Sequence, residues 1–455
     1  MPPIILAAAR KTLSSALYLA LCLATIAHYV LGAPSDLRPI GALLLVYLLL
    51  EIWAASRLIL GSAAVLVALG LLAQGGGTLA LLVEAGARTL PFLVLFLAVL
   101  CLQGPALASP TLRAIGGLVA AQPPGRRFAG MALAGHLLGA VLNVAGLLLV
   151  LSLRDPKLAP RDQMRLTAGA MRGFGAAATW SPLFVAMSVV LAALPNLSWL
   201  EIAWRSGLVA AAILLFAWIW NRIERGRGGG GAVGAPPARL APGTLARAAL
   251  ILAALFVPVI WLFEAYHLAI PIALGLVAPA MAVTWQARQA PAGERGTAAA
   301  RRGREVFRGL PGLRNEALLF FAANTFALGL SAALDPVLLA RLSEVLPGAG
   351  LSIPILIMAG LVVAGLGVHP IVIVVAVGTV LSPELLHLSD METALALLVV
   401  WGMGAIMSPF SGTVLQVARL TNCSPFRVAW VWNARFSLAI GLPVSAVVYA
   451  VARLL

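Results

Sequence analysis

The sequence carries very little charge for its length. Only 10% of its 455 residues are Asp, Glu, Lys or Arg, whereas 62% are hydrophobic, and the mean hydropathy is +1.01. Many apolar runs are long enough to cross the roughly 30 Å of hydrocarbon in a bilayer. This scarcity of charge excludes an ordinary soluble domain and predicts an all-α polytopic membrane protein embedded in the lipid bilayer.

Cysteine is scarce as well, and the motifs of catalysis are missing. Cys22, Cys101 and Cys423 have neither a metal-ligand spacing nor an obvious disulfide partner. No nucleophile–base set, metal cluster or nucleotide motif is visible in the sequence. We therefore predict no metal site and no cofactor, and we do not expect an enzyme.

The charge that is present is mostly positive, with a net charge of +15. In a soluble protein this excess would suggest a nucleic-acid partner, but here the arginines lie in short loops between apolar runs. Two such loops, the linker 223–243 and the loop 288–314, are predicted to be cytoplasmic. The arginines therefore indicate topology, and we expect no nucleic acid to bind.

A set of short sequence motifs occurs twice along the chain, in the same order. The second occurrence follows the first at an offset of 226 or 227 residues, and the charges that flank the two copies have opposite sign. A unit that is repeated with inverted topology in the bilayer is typical of a secondary transporter. The substrate site of such a transporter lies where the two repeats meet. The paired motifs are Ser109-Pro110 and Asp335-Pro336, Asn143 and His369, Ser181-Pro182 and Ser408-Pro409, and Ala203-Trp204 and Ala429-Trp430.

Two apolar stretches are predicted to enter and leave the membrane on the same face. The stretch 128–153 has arginines on both sides, so the positive-inside rule places both of its ends in the cytoplasm, which a single span cannot satisfy. Its turn is expected near Asn143. The second copy, 351–382, has mostly acidic flanks and a turn signal around His369, so it is predicted to enter from the opposite face.

Two longer segments are predicted to be broken helices. Segment 164–195 exceeds the length of a straight span and carries Gly173, Gly175 and Pro182 at its middle, where proline removes a backbone donor and glycine lowers the cost of unwinding. A kinked but continuous helix is the open alternative there. Segment 392–420 carries a Ser-Pro pair and a glycine at its middle. Neither segment has an acidic residue near its centre, which argues against an antiporter built on a buried carboxylate relay.

The complete topology has eleven spans and two re-entrant hairpins. Its N-terminus is cytoplasmic and its C-terminus extracytoplasmic, which suits a multi-pass protein of a bacterial inner membrane. The spans are expected at about 12–32, 37–55, 58–74, 78–107, 164–195, 199–222, 244–264, 268–287, 314–335, 392–420 and 428–452.

This arrangement resembles the ion transporter superfamily, which includes the divalent anion/sodium symporters and the large membrane subunit of TRAP transporters. The resemblance rests on the order of spans, hairpins and broken helices, and on the turn sequences at 367–370 and 408–413. It implies a homodimer in which a substrate-carrying domain moves as an elevator against a fixed scaffold. By position, the transport domain would comprise 128–222 and 351–455, and the scaffold 1–127 and 244–350.

Two hairpin tips and two helix breaks that meet near the midplane would supply N–H donors for an anion and oxygen ligands for a sodium ion. The open alternative for each hydroxyl is a hydrogen bond to its own backbone. Asn143, Ser181, Ser408 and Thr413 are also the candidates for binding the coupling ion, Na⁺ or, as the alternative, H⁺. The candidate substrate-binding residues are Asn143, Thr179, Ser181, His369, Ser408, Ser411 and Thr413.

Three further polar residues lie inside predicted membrane segments. Arg172 and Arg435 could each complement an anionic substrate, or could snorkel or pair with backbone carbonyls. His136 shares with His369 the ability to titrate near neutrality, so proton coupling would involve one of them, a scaffold carboxylate or the substrate.

The pattern as a whole predicts an ion-coupled secondary active transporter for a small organic anion, with a carboxylate expected, and the family resemblance implies that it is of the elevator type. A sodium/proton or other cation antiporter of the same architecture is the first alternative. The second is the membrane subunit of a transporter that requires a soluble binding protein.

The hairpin assignment predicts a labelling pattern. Single cysteines introduced at positions 124 and 158 should both react with a membrane-impermeant thiol reagent from the cytoplasmic side, because both flank the first hairpin. A cysteine at position 386 should react from the outside. Reaction of positions 124 and 158 from opposite sides of the membrane would contradict the hairpin assignment.

Overall fold

The computed structural model describes residues 3–32, 36–120, 122, 126–152, 154, 158–225 and 241–454. In this part of the chain all regular secondary structure is helical, and nine helices are long and apolar enough to cross a membrane. The predicted all-α, multi-pass class is therefore correct. Most of the predicted linker 223–243 lies outside the described residues.

The first half of the chain forms ten helices, followed by ten more in the second half. Helices α1 to α10 are Pro3–Val30, Arg38–Glu51, Arg57–Gln74, Thr78–Ala108, Pro110–Ala120, Arg127–Leu142, Val144–Ser152, Pro160–Ala177, Val185–Ala193 and Trp199–Arg225. Helices α11 to α20 are Thr244–Tyr266, Ile270–Gln289, Arg295–Gly309, Arg314–Ala333, Pro336–Val345, Ala349–Gly365, Pro370–Val380, Asp390–Met407, Gly412–Thr421 and Arg435–Leu454.

Two of the eleven predicted spans do not count among the nine in the described part of the chain. The predicted span 37–55 is the 14-residue helix α2 followed by a single 3₁₀ turn, Ile52–Ala54, which is short for a crossing. The predicted span 164–195 is divided between α8 and α9. Length and apolarity alone therefore give nine spans, and the topology of eleven stays a prediction.

The chain divides into two compact units. Unit 1 comprises Met1–Ala108, Ala253–Leu338 and Val375–Val380, and unit 2 comprises Ser109–Leu252, Leu339–Val374 and Leu381–Leu455. Each unit draws on both halves of the sequence. The roles of scaffold and transport domain, which the sequence suggested for similar ranges, stay predictions.

Unit 1 is organised around α4, against which α2, α12 and α14 pack. Pro105 lies inside α4, and a proline in a helix deprives the carbonyl four residues earlier of its donor. That carbonyl, on Cys101, accepts from the guanidinium of Arg302 at 3.1 Å. Arg302 belongs to α13, which lies within the arginine-rich loop 288–314. This helix therefore supplies the hydrogen bond that Pro105 removes from α4.

Unit 2 is organised around α8 and α18, which cross with their backbones in contact. A Cβ added to Gly175 would lie 2.7 Å from the carbonyl oxygen of Gly402, and a Cβ on Gly402 would collide with the carbonyl of Gly175. The contact is reciprocal, and the two glycines are 227 residues apart, which is the offset of the two Ser-Pro pairs. Only glycine permits this approach.

The glycines of α8 therefore have a different role from the predicted one. Gly173 and Gly175 were expected to ease unwinding, but both lie within the continuous helix, which ends at Ala177. A Cβ on Gly173 would collide with the carbonyl of Ala132 in α6. These glycines thus allow α6 and α18 to pack directly on the backbone of α8.

Adding a single methyl group at this crossing should destabilise the protein. Gly402→Ala should lower the free energy of unfolding by about 1–3 kcal/mol, because the obstructing atom is backbone and cannot rotate away. Gly207→Ala in α10 is the matched control, since nothing lies within 4 Å of its added Cβ. Thermal unfolding in detergent should show a loss only for Gly402→Ala, and equal behaviour of the two variants would contradict the crossing.

Candidate functional site

Both predicted broken helices are broken. The first loses helical structure after Ala177 and resumes it at Val185, with Pro182 in the gap. The second ends at Met407 and resumes at Gly412. The alternative of a kinked but continuous first helix is therefore wrong, and each break is stabilised by a turn rather than by regular helix.

Two of the four pairs of recurring residues cap helices in both copies. Ser109 accepts from Leu112 N at 3.4 Å, before α5, and Asp335 accepts from Val337 N at 2.9 Å, before α15. The tip residues follow the same pattern. Asn143 Oδ1 accepts from the first amide of α7 at 2.8 Å, and His369 Nδ1 accepts from Ile371 N of α17 at 3.2 Å.

The first hairpin folds back sharply on itself. Asn143 has a φ of 54°, and a Cβ on Gly146 of α7 would collide with the carbonyl of Leu138 in α6. The chain therefore reverses within a few residues, at the predicted turn. The tip is tied to the first break, because Ser181 Oγ donates to the carbonyl of Ala140 at 2.6 Å.

The second turn is tied to the second break by a different contact. Gly367 has a φ of 109°, and the ring of Phe410 occupies the space that a Cβ would take. Trp430 Nε1 donates to the carbonyl of Gly365 at 2.8 Å. The helix after this turn is divided, since Val375–Val380 groups with unit 1.

Several candidate hydroxyls already have a backbone partner. Thr179 donates to Ala176 O at 2.8 Å, and Ser411 donates to Ala405 O at 2.6 Å. Ser411 also caps α19 by accepting from Val414 N at 3.1 Å. These side chains hold the breaks in shape, as the bonding of hydroxyls to their own backbone would predict.

Ser408 and Thr413 are the candidates whose hydroxyls remain uncommitted. Ser408 Oγ is fully buried and has no hydrogen-bond partner, and Thr413 makes no side-chain hydrogen bond within the described part of the chain. Buried polar atoms are normally paired, so an orphaned hydroxyl in a helix break indicates a place for a ligand or water. Gly412, between them, is exposed.

The start of α19 adds backbone donors to these hydroxyls. The first four N–H groups of a helix have no partner within the helix. Ser411 Oγ accepts from one of them, the N–H of Val414, and the N–H of Leu415 makes the first regular helical bond, to the carbonyl of Ser411. The N–H groups of Gly412 and Thr413 are left, beside the uncommitted hydroxyls.

The packing of unit 2 brings elements of the two copies together. Helix α19 packs against α7, which follows Asn143, and α9 packs against α18. A Cβ on Gly402 would also lie 3.6 Å from the Cβ of Ala178, the first residue of the first break. The first break thus adjoins the glycine crossing, and the second begins at Ser408, six residues after Gly402.

Arg172 is buried but already has partners. Its Nη2 donates to the carbonyl of Trp432 at 2.9 Å, its guanidinium lies 4.3 Å from the ring centre of Phe436, and Glu224 lies 3.6 Å from Nη1. Pairing with a backbone carbonyl, the second of the two expectations for this residue, is what the structure contains. Arg435, by contrast, is exposed.

Two features of this region were not predicted from the sequence. Residues Arg427–Ala434 form a π-helix, and Asn433 Nδ2 donates to the carbonyl of Val428 at 3.0 Å. Trp180, in the first break, contacts His136 through its indole. A tryptophan beside the Ser-Pro pair was the one visible hint of the second.

No protein-family model matches the chain, and a search of curated proteins finds no match. Among solved structures, the chain is similar to the YdaH transporter of Alcanivorax borkumensis, with 16% sequence identity over 82% of this chain and 85% of that one. The TM-score is 0.48, and that structure is described as having an unusual topology.

Proposed function

We propose that the protein is an ion-coupled secondary active transporter of a small organic anion, with a carboxylate as the expected substrate. The substrate would bind at the two helix breaks of unit 2. Unit 2 would carry it across the bilayer by an elevator movement, within a homodimer of a bacterial inner membrane. Nine apolar helices within the described residues support the membrane setting.

One observation carries the proposal. The second break presents the buried, unpaired hydroxyl of Ser408, and α19 begins beside it with the hydroxyl of Thr413 and the N–H groups of Gly412 and Thr413. All four groups can donate a hydrogen bond, and the helix dipole favours negative charge at this end. The arrangement suits a carboxylate better than a cation, which argues for an organic anion over an antiporter that carries only cations.

Sodium is the coupling ion we propose, with H⁺ as the alternative. Hydroxyl and carbonyl oxygens at unwound segments are suitable sodium ligands, and candidate oxygens come from Asn143, Ser181, Ser408 and Thr413. No carboxylate occurs in the breaks 178–184 and 408–411. A proton relay through buried acids therefore has no residues there.

Uptake by the purified protein in liposomes tests the function. Radiolabelled mono- and dicarboxylates should accumulate under an inward sodium gradient and should not accumulate when choline replaces sodium. Accumulation that follows the pH gradient instead would make H⁺ the coupling ion. Uptake that occurs only after a soluble binding protein is added would favour the multi-component alternative, and sodium–proton exchange without any anion uptake would favour the antiporter.

Removing either uncommitted hydroxyl should weaken substrate binding. Ser408→Ala and Thr413→Ala should each raise the Kd by roughly 10- to 150-fold, equivalent to the loss of about 1.5–3 kcal/mol for a hydrogen bond to a charged group. Calorimetry or scintillation proximity on purified protein would measure this.

Ser188→Ala is the matched control. Ser188 lies in α9, and its hydroxyl is also buried and without a partner, but it is not in a break. This variant should bind substrate as the wild type does. If all three variants bind alike, the site is not at the second break.

A further inference from the structure

His136 has hydrogen bonds that define its protonation state. The residue lies in α6 and is buried, with Nδ1 3.3 Å from the carbonyl of Gly173 and Nε2 3.1 Å from Trp180 Nε1. An indole N–H can only donate, so Nε2 must accept and carries no proton. The proton of the neutral ring is then on Nδ1, where it donates to Gly173.

A second proton cannot enter this arrangement without breaking it. The free acceptor of the neutral ring is Nε2, and Trp180 already occupies it. Protonation would turn Nε2 into a donor that faces another donor. The indole of Trp180 must therefore leave before the imidazolium forms, and it can return only after the proton is lost.

The bond matters because Trp180 lies at the centre of the first break. Its carbonyl accepts from Trp199 Nε1 at 3.0 Å, so the residue is held at both its side chain and its backbone. His136 and Ala140 are one turn apart on α6, and they bind Trp180 and Ser181 respectively. Of these two links from hairpin to break, only the one through His136 depends on protonation.

We propose that His136 is a proton-binding site whose occupation releases Trp180 and loosens the first helix break from the hairpin. The site takes one proton at Nε2 and acts on residues 178–184. His136 acts here as a positioning residue, through Trp180, and its effect on substrate binding or transport rests on the proposed function.

The surroundings of His136 contain no ion pair that would hold it in one state. Within the described part of the chain its only polar contacts are the two given above, and α7 carries no charged residue. Arg172, next to Gly173, is directed to Trp432 and Phe436. The charged residues on the other elements packed against α6 are Arg113 of α5, Arg161, Asp162, Arg165 and Arg172 of α8, and Glu201, Arg205, Arg222, Glu224 and Arg225 of α10.

The test follows Trp180 directly in the full-length protein. Protein labelled with 5-fluorotryptophan and reconstituted in nanodiscs would be titrated from about pH 8 to about pH 5, and the ¹⁹F resonance of Trp180 would be assigned with Trp180→Phe. We expect this resonance to move through a single one-proton transition. The protection factors of the amides in 178–184, which correct for the slower intrinsic exchange at lower pH, should decrease by about tenfold across the same transition, as expected for the loss of one hydrogen bond.

Two histidine variants make the result specific. His136→Gln keeps an acceptor for Trp180 but does not titrate, so the Trp180 resonance should stay at its high-pH position. His369→Gln removes the histidine of the other turn, which accepts only from its own helix, and the transition should persist. An unmoved resonance in the wild type, or an unchanged transition in His136→Gln, overturns the proposal.

A measurement on the wild type avoids dependence on folding of the variants. The ¹⁵N shifts of His136 at about pH 8 should show a protonated Nδ1 and an unprotonated Nε2. The opposite tautomer would contradict the assignment. None of these readouts requires transport, so they stand or fall separately from the proposed function.

Discussion

In unit 2 the backbones of the two copies come into contact where α8 and α18 cross, at Gly175 and Gly402. Neither position has room for a Cβ, because each faces the other's carbonyl oxygen. The contact brings the helical halves of two broken helices together three residues before the first break, which begins at Ala178, and six residues before the second, which begins at Ser408. The approach of the breaks, and hence any site that both form, depends on these two residues being glycine.

Broken helices in an apolar setting create polar groups that need partners. Most of them find one here within the same unit: Ser181 binds the hairpin carbonyl of Ala140, and Ser411 binds Ala405 and caps α19. The same logic operates in unit 1, where Arg302 binds the carbonyl that Pro105 leaves without a donor. Ser408 is the exception: it lies in the second break, and its buried hydroxyl has no hydrogen-bond partner. We attribute it to the site because the other break hydroxyls are already in use.

Local chemistry made much of the fold predictable, and long-range pairing explains what was not. Proline and the turn residues have short-range effects, so the breaks near Pro182 and Pro409 and the turn at Asn143 could be located from sequence. The predicted roles of the glycines in α8 were wrong because packing against another helix leaves no local signal. The π-helix at Arg427–Ala434 was missed for the same reason.

The candidate site, too, was predictable only where it depends on local sequence. Four of its residues, Asn143, His369, Ser181 and Ser408, could be proposed from recurrence at a fixed offset, and the other three from their place beside the Ser-Pro pairs. Which hydroxyls are free depends on carbonyls elsewhere in the fold. Ala140 is 41 residues from Ser181, and nothing in the sequence pairs them. His136 and Trp180 are similarly distant, so a bond that is specific at the level of single atoms was invisible until the helices were packed.

A cryo-EM map of the protein in lipid with a bound carboxylate would show directly whether a small anion binds at the second break. We expect residues 408–411 to remain unwound in this map, with ligand density within hydrogen-bond distance of Ser408 Oγ and the first amides of α19. Density for a continuous helix through 408–411, or for the ligand at a place remote from both breaks, would contradict this expectation.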